Sequence, residues 1–312
     1  MLNYTVRRLL LLIPLLFCIS VMIFGILKLT PGDPAVVLLG ERATEETLAL
    51  TREKFALDKP MYVQYARMME NFFTGELESI YYKENVLKVV GQKMVPTLEL
   101  GFAALFLAVA VSIPAGIISA VKRNSVFDYT AMTTALFGIS IPVFFTGILL
   151  IYIFAVKLRL LPASGYGGGL FAPGGWKHLV MPAFVLSFTM MASTTRITRS
   201  AMLDVIREDY IRTARAKGVK EIWVILVHAL RNAMMPITTN VGNQVARLFA
   251  GAVLTETVFA WPGIGRLAVN AIFRRDEPLV FGCVLSLCFI YVVVNLIVDL
   301  AYGAINPQVR YE

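Results

Sequence analysis

The chain carries six long apolar runs separated by polar stretches. They are Leu9 to Leu29, Thr97 to Val121, Thr130 to Val156, His178 to about Thr195, about Pro236 to Phe259, and Leu279 to Ala301. A helix needs ~20 residues to cross the hydrocarbon of a bilayer. The first, second, third and sixth runs meet that length directly. The fourth is short unless Arg196 snorkels to the interface. The fifth is the least apolar, so a five-span chain with a re-entrant piece stands as the competing reading. The expected fold class is an all-α membrane protein with six transmembrane helices.

Two of the polar intervals have helical patterning of their own. After the first run, Glu41 to Leu57 reads as a short helix and Met61 to Phe73 as an amphipathic one. Tyr62, Tyr65, Met69 and Phe72 of the latter recur at three- and four-residue steps. Pro60 starts that helix, where its missing N–H leaves no helical bond unmade. The interval 31–95 is too short to hold a core of its own. It reads as a lid or rim packed on the membrane helices, serving as loop decoration or as a partner-contact surface.

The second interval, 207–231, is basic and rich in alanine. Arg207 to Lys217 is free of strong breakers and places Ala214 and Ala216 among good helix formers. Gly218 then suits the residue just past a helix end. Val219 to Ala233 resumes a helical pattern, with Ile222, Trp223, Leu226, Val227 and Leu230 in an apolar stripe. Two readings stand side by side. One is a basic loop that folds because alanines favour helix. The other is a docking surface whose Arg212, Arg215 and Lys217 meet acidic or carbonyl groups of a partner.

Composition and charge set the topology. Of 312 residues, 57% are hydrophobic and 16% charged, with a mean hydropathy of +0.70. That balance points to membrane insertion before anything else. The net charge of +8 does not require nucleic acid, because Lys and Arg collect on cytoplasmic loops of membrane proteins. From Arg196 to Arg231 there are eight Lys or Arg against four Asp or Glu. Together with Arg7, Arg8, Lys122 and Arg123, this places the N-terminus and the loops after the second and fourth runs in the cytoplasm. Six crossings return the C-terminus, with Arg310, to that side. The interval 31–95 then faces out, and its eight cations against ten anions resemble an ordinary soluble surface. Arg7 and Arg8 would suit a signal peptide. However, the run is too long for one and ends in Pro31-Gly-Asp-Pro34 rather than at small residues, so it is read as a retained helix.

Few residues invite chemistry. Cys18, Cys283 and Cys288 lie in apolar runs, form no CxxC, and suggest neither a disulfide scaffold nor a metal site. Met181, Met190, Met191, Met202, Met234 and Met235 are spaced as packing filler rather than as ligands. His178 and His228 are a whole span apart, and His228 reads as structural. The glycine-rich loop from Gly165 to Gly175 is expected to be flexible and external, and it lacks the pattern of a phosphate cradle. No G-x-x-x-x-G-K-[ST] motif is present, so no ATP hydrolysis is expected of this chain.

The fifth run is different. Asn240, Asn243, Gln244 and Arg247 fall largely on one helical face, extended by Thr238, Thr239, Thr255 and Glu256. An arginine against lipid costs ~2.5–3.5 kcal/mol near the bilayer centre, so Arg247 should face protein or water. These groups make either a satisfied interhelical network, with Asp299 or a partner subunit pairing Arg247, or the lining of a translocation path. A path must hold a polar solute weakly, since tight binding slows release.

Arg212-Thr-Ala-Arg-Ala-Lys-Gly218, followed by His228-Ala-Leu-Arg-Asn-Ala-Met-Met-Pro236, resembles the EAA loop of binding-protein-dependent ABC importer permeases. The likeness is to the dipeptide/oligopeptide (peptide/nickel) family, B-type subunit. Pro31-Gly-Asp-Pro34 after the Arg7-Arg8 span, Pro96-Thr-Leu98, Glu256-Thr-Val-Phe-Ala-Trp-Pro-Gly-Ile-Gly265 and Asn306-Pro307 agree with it. The usual pattern opens Glu-Ala-Ala where this chain has Arg212-Thr213-Ala214, leaving no glutamate there to carry the docking role, and would put a proline near Arg231.

The resemblance implies a type I ABC importer permease fold in a bacterial or archaeal cytoplasmic membrane. It implies an N-terminal helix over 1–30, an extracytoplasmic segment over 31–95, and a permease core over 96–312. It also implies as partners a homologous C-type permease, two cytoplasmic ATPases that bind ATP and Mg, an extracytoplasmic substrate-binding protein and membrane lipid. The ATPase-coupling helix is then Glu208, Asp209, Tyr210, Arg212, Thr213, Ala214, Arg215, Ala216, Lys217 and Gly218. The expected role is half of a path for di- or oligopeptides. Nickel chelates, glutathione or another peptide-like solute are the alternative cargo. An intramembrane enzyme is a reading of another class, but no Ser/His/Asp set or HExxH motif is visible. A bare scaffold would leave the polar fifth run unexplained.

Overall fold

The computed structural model describes the backbone of residues 2–29, 36, 44–54 and 58–305. Within those ranges the side chains of 2–9, 51, 53–54, 246–247, 249–250 and 299–305 lie outside the description. In chain order the helices are α1 (Leu2–Leu29), α2 (Glu45–Lys54), α3 (Met61–Thr74), α4 (Val86–Val121), α5 (Val126–Ser140) and α6 (Val143–Leu150). They continue as α7 (Gly175–Ile206), α8 (Asp209–Ala216), α9 (Leu230–Val258), α10 (Ile264–Phe273) and α11 (Glu277–Ile305). Wider π-helical turns cover Ile151–Lys157 after α6 and Val224–Ala229 before α9. Among the described residues, β pairing amounts to one isolated bridge, Glu78 to Asn85.

Among the described residues, five helices are long and apolar enough to cross a membrane, and a bent pair counted as one span makes a sixth. The expected third span, Thr130 to Val156, is broken by a bend. Val126–Ser140 and Val143–Lys157 meet at 110°. Pro142 supplies no N–H, and the residue before it, Ile141, is pushed to an extended conformation (φ −85°, ψ 129°). Three other boundaries differ from expectation. α4 begins at Val86 rather than Thr97, because the Asn85 side chain accepts the Lys88 N–H at 3.1 Å and caps the helix early. α7 runs on through Arg196 and Arg199 to Ile206, so the fourth span is not short. α9 holds Pro236 inside rather than at its start. The short helix expected over Glu41 to Leu57 is described only as α2, and residues 41–43 and 55–57 lie outside the description. Pro31 to Pro34 and Asn306-Pro307 also lie outside it.

The chain divides into two compact units. One contains Leu2–Thr97 and Pro262–Val293. Here the segment after α1 packs on membrane helices, as a piece without its own core must. The Tyr65 ring stands edge-on to Phe17 and Phe24 of α1, and its hydroxyl is 2.7 Å from Ser20 Oγ. Phe72 meets Phe281 edge-on, and Gly282 leaves room for Val86, whose Cγ1 would lie 2.2 Å from any added Cβ. Asp276 is fully buried at the start of α11. It accepts the Leu279 N–H there, the Ser79 hydroxyl at 2.5 Å and the Tyr81 N–H at 3.0 Å.

The other unit contains Leu98–Trp261 and Val294 onward. Its centre is α7, with 67% of its most apolar window buried, against 22–39% in the other spans. α4 shows how faces are chosen in a helix that is largely apolar on every side. Leu100, Ala104, Ala108, Ser112 and Ser119 are buried, whereas Phe102, Phe106, Val111 and Ile118 are exposed. Small side chains face protein because helices in lipid associate by close packing rather than by escaping water. At Gly116 an added Cβ would lie 2.5 Å from Thr198 Cβ and 2.8 Å from the Thr195 carbonyl. At Gly138 it would lie 2.9 Å from Ala192 Cβ, and the Gly138 carbonyl accepts the Thr189 hydroxyl. Arg199 closes the end of this contact by donating twice to buried Asp128, at 2.6 and 2.7 Å. Asp128 also accepts the Asn124 N–H and donates its own N–H to the Ser125 hydroxyl, which caps α5.

Gly116→Leu is expected to lower the thermal stability of the purified protein, by about 1–3 kcal/mol for an overpacked contact against backbone. Gly91→Leu, on the same helix with nothing within 4 Å, should leave it nearly unchanged. Thermal unfolding in detergent distinguishes them, and equal midpoints for the two variants would contradict the α4–α7 contact.

Candidate functional site

The basic interval forms a short exposed helix hung on a buried anchor. α7 ends at Ile206 with Arg207 as its cap, the chain turns at Glu208, and α8 begins at Asp209 rather than at Arg207. Ile211 is fully buried among Ala201, Met202, Val224, Ile225 and Ala229. Burial of such a side chain contributes ~1.5–3 kcal/mol. Ala214 and Val219 pack partly against the same cluster. Glu208, Asp209, Tyr210, Arg212, Thr213, Arg215, Ala216, Lys217 and Gly218 remain exposed. One turn of the helix is thus fixed while the rest is presented.

The C-terminal turn matches its sequence. Gly218 takes φ +78°, and the Val219 N–H returns to the Ala214 carbonyl at 3.3 Å, a left-handed helix end. Two polar ties hold the following segment. Arg215 donates to both oxygens of Glu221, at 2.7 and 3.1 Å. That carboxylate raises the Arg215 pKa above its usual value. The Asn232 amide donates to the Tyr210 hydroxyl at 2.6 Å.

The expected second helix, Val219 to Ala233, does not stop. It opens at Glu221–Trp223, passes through the π-helical turns at Val224–Ala229 and continues as α9. Its expected inner stripe is also displaced. Val224, Ile225 and Ala229 are buried, while Ile222, Trp223, Leu226 and Val227 are exposed and Leu230 is half-buried. The wider π turns shift the phase that an i, i+3, i+4 pattern assumes. His228 is exposed within this stretch.

The polar residues of the fifth span separate. The Asn240 amide donates to Thr194 at 2.9 Å, and its oxygen accepts the Ser193 hydroxyl at 3.2 Å. That residue belongs to an α7–α9 network. Asn243 is exposed. Gln244 lines a cleft of about 330 Å³ between α5, α6, α7 and α9, beside the 110° bend. Arg247 lies on α9, but its side chain, like that of Asp299, is outside the described residues. Among the described residues, the cation lining the cleft is Arg196, on the part of α7 beyond the expected fourth span. A charge inside a membrane helix was the available signal.

The glycine-rich loop is held at several points. The Gly165 N–H donates to the Phe259 carbonyl at 2.9 Å, and the Tyr166 hydroxyl donates to Glu99 at 2.6 Å. Tyr166 also stands edge-on to buried Trp261, 4.9 Å between ring centres. Burial, then the Glu99 carboxylate, pushes the Tyr166 pKa up to about 12. Glycine is needed at Gly175, where a Cβ would lie 1.8 Å from the Gly169 carbonyl oxygen. Among the described residues, no group of three or more His, Cys, Asp or Glu is placed to hold a metal ion.

Residues 112–311 match the family of binding-protein-dependent transport system inner membrane components, and residues 1–94 match its N-terminal family. The dipeptide transport system permease protein DppB of Escherichia coli strain K12 is 42% identical over all of both chains. A di/tripeptide transport system permease protein of Pseudomonas aeruginosa strain UCBPP-PA14 is likewise 42% identical over the whole of both chains. The glutathione transport system permease protein GsiC of Escherichia coli strain K12 is 41% identical, again over both full lengths. Among solved structures, the inward-facing MetNI methionine ABC transporter is similar in fold, with a TM-score of 0.56. The two are 16% identical, and the match covers 70% of this chain and 97% of that one.

Gly218→Val should loosen the turn after α8, since a left-handed conformation costs a side-chain-bearing residue ~1–2 kcal/mol. Hydrogen exchange at the amides of residues 212–219 is expected to quicken several-fold, with α7 unchanged. Unaltered exchange at those amides would contradict the turn.

Proposed function

We propose a peptide-importing role for this chain, which belongs to the family of binding-protein-dependent transport system inner membrane components. It is a non-catalytic, multi-pass permease subunit of the inner membrane. The observation that carries the peptide reading is full-length similarity, at 41–42% identity, to permeases for dipeptides, di/tripeptides and glutathione. Glutathione is itself a tripeptide, so the cargo is a short peptide or a close relative of one. The cleft of about 330 Å³ supports a small solute, being at the low end of ligand-sized cavities. Asn243, Gln244 and Arg247 are assigned to the path, with Asn240 holding α9 to α7 beside it.

Glu208 to Gly218 is the segment assigned to a cytoplasmic ATPase. Its exposed polar surface and single buried anchor support that role. A force applied to α8 passes through Ile211, the Arg215–Glu221 pair and the Tyr210–Asn232 bond into α9. In this reading two ATPases bind ATP and Mg, a homologous C-type permease supplies the other half of the path, and a binding protein delivers and ranks the solutes. Both chain termini then lie in the cytoplasm.

Ala214→Glu and Gly218→Pro are expected to lower ATP hydrolysis stimulated by loaded binding protein at least ~tenfold in the reconstituted complex. A charge at a half-buried alanine is left unpaired, and proline cannot adopt the Gly218 backbone. Both variants should still insert. Full stimulation in both would remove the segment from the coupling role.

A further inference from the structure

α7 carries two arginines one turn apart, and the structure treats them differently. Arg199 is closed by the Asp128 carboxylate. Arg196 has no hydrogen-bond or ion-pair partner among the described residues, and it lines the cleft with Thr189, Ser193 and Gln244. At ~1.5 Å per residue, Arg196 stands about 30 Å from the start of α7 and about 15 Å from its end. A helix of this length centred in ~30 Å of hydrocarbon would therefore hold Arg196 within the crossing part. A guanidinium there faces water or an anion rather than lipid tails.

The neighbouring polar groups narrow the role. Ser193 and Asn240 are already bonded to each other, and Asn240 to Thr194. Gln244 has no partner among the described residues. The remaining walls, from Ile139, Leu186 and Leu248, are apolar. A planar fork of donors beside a free amide, in an otherwise apolar cleft, matches a carboxylate followed by a peptide group.

The geometry points to Arg196 as the residue that receives the C-terminal carboxylate of a short peptide in transit, with Gln244 serving the adjoining peptide group. This rests on the peptide-permease reading above. The contact is transient, since one exposed guanidinium holds a carboxylate without caging it. A lipid phosphate offers the same anion chemistry, so the test separates the two sources.

The complete importer, with ATPases, partner permease and saturating binding protein, is reconstituted with wild-type, Arg196→Gln or Arg196→Lys chain. Initial uptake per assembled complex is measured for one dipeptide with a free C-terminus and for its C-terminal amide. Vesicles contain phosphatidylcholine alone or with added phosphatidylglycerol. For Arg196→Gln, uptake of the free-carboxylate peptide should fall about tenfold, the loss of one charge-assisted contact. Amide uptake should hold, Arg196→Lys should retain most activity, and lipid composition should not matter. Equal losses for both peptides would overturn the assignment, as would failure of both variants to assemble. A defect that appears only with phosphatidylglycerol would assign Arg196 to lipid phosphate instead. If the wild-type complex imports neither peptide, the peptide reading itself falls, a result distinct from any effect of the substitutions.

Discussion

The permease unit depends on how closely backbones can approach α7. Between helices in hydrocarbon, apolar side chains gain little by meeting one another, because lipid tails are equally apolar. Adhesion must come from contact distance and from polar bonds. Gly116 brings α4 against Thr195 and Thr198, and Gly138 brings α5 against Ala192. Polar ties act at the same contacts: Thr189 to the Gly138 carbonyl, Asn240 to Ser193 and Thr194, and Arg199 to Asp128. α7 is consequently the most buried span, and everything assigned to function in this unit is placed by its neighbours.

That arrangement gives α7 two roles at its two arginines. Where Asp128 meets Arg199, charge is neutralised and the packing of α5 is fixed. One turn earlier, Arg196 meets a cleft instead of a carboxylate, and that cleft extends along the span to the bend at Ile141-Pro142. The proline makes that bend because a helix cannot carry its bond through that position. Closing and opening the helix surface within one turn lets the same span be structural and accessible.

The two ends of the exposed segment 208–218 are likewise fixed by different means. Ile211 buries a whole side chain, which places α8 but says nothing about what it meets. The Gly218 turn and the Arg215–Glu221 pair then set the direction of the chain entering α9. The continuity of Glu221–Trp223, the π turns and α9 makes that direction part of a membrane helix rather than of a loop.

Some of this was legible in the residues alone. Long apolar runs fix helices that cross lipid, since no other open segment satisfies its backbone there. Gly218 after an alanine-rich stretch gave the turn, and Tyr65, Met69 and Phe72 gave the inner face of α3, whereas Tyr62, expected with them, is exposed in the first turn. The EAA-like segment pointed to the family that the full-length relatives show. Hydropathy could not choose the inner face of α4, because both faces are apolar and residue size decides in lipid. Nor could it set the exposed stripe before α9, whose phase follows π turns absent from a 3.6-residue count. Asn240 and Gln244 lie one turn apart on one helix, yet only the position of α7 makes the first a network residue and the second part of a cleft. Arg196 and Arg199 are chemically identical in the sequence. Tertiary structure alone separates them, because the carboxylate that neutralises one comes from the start of a different helix.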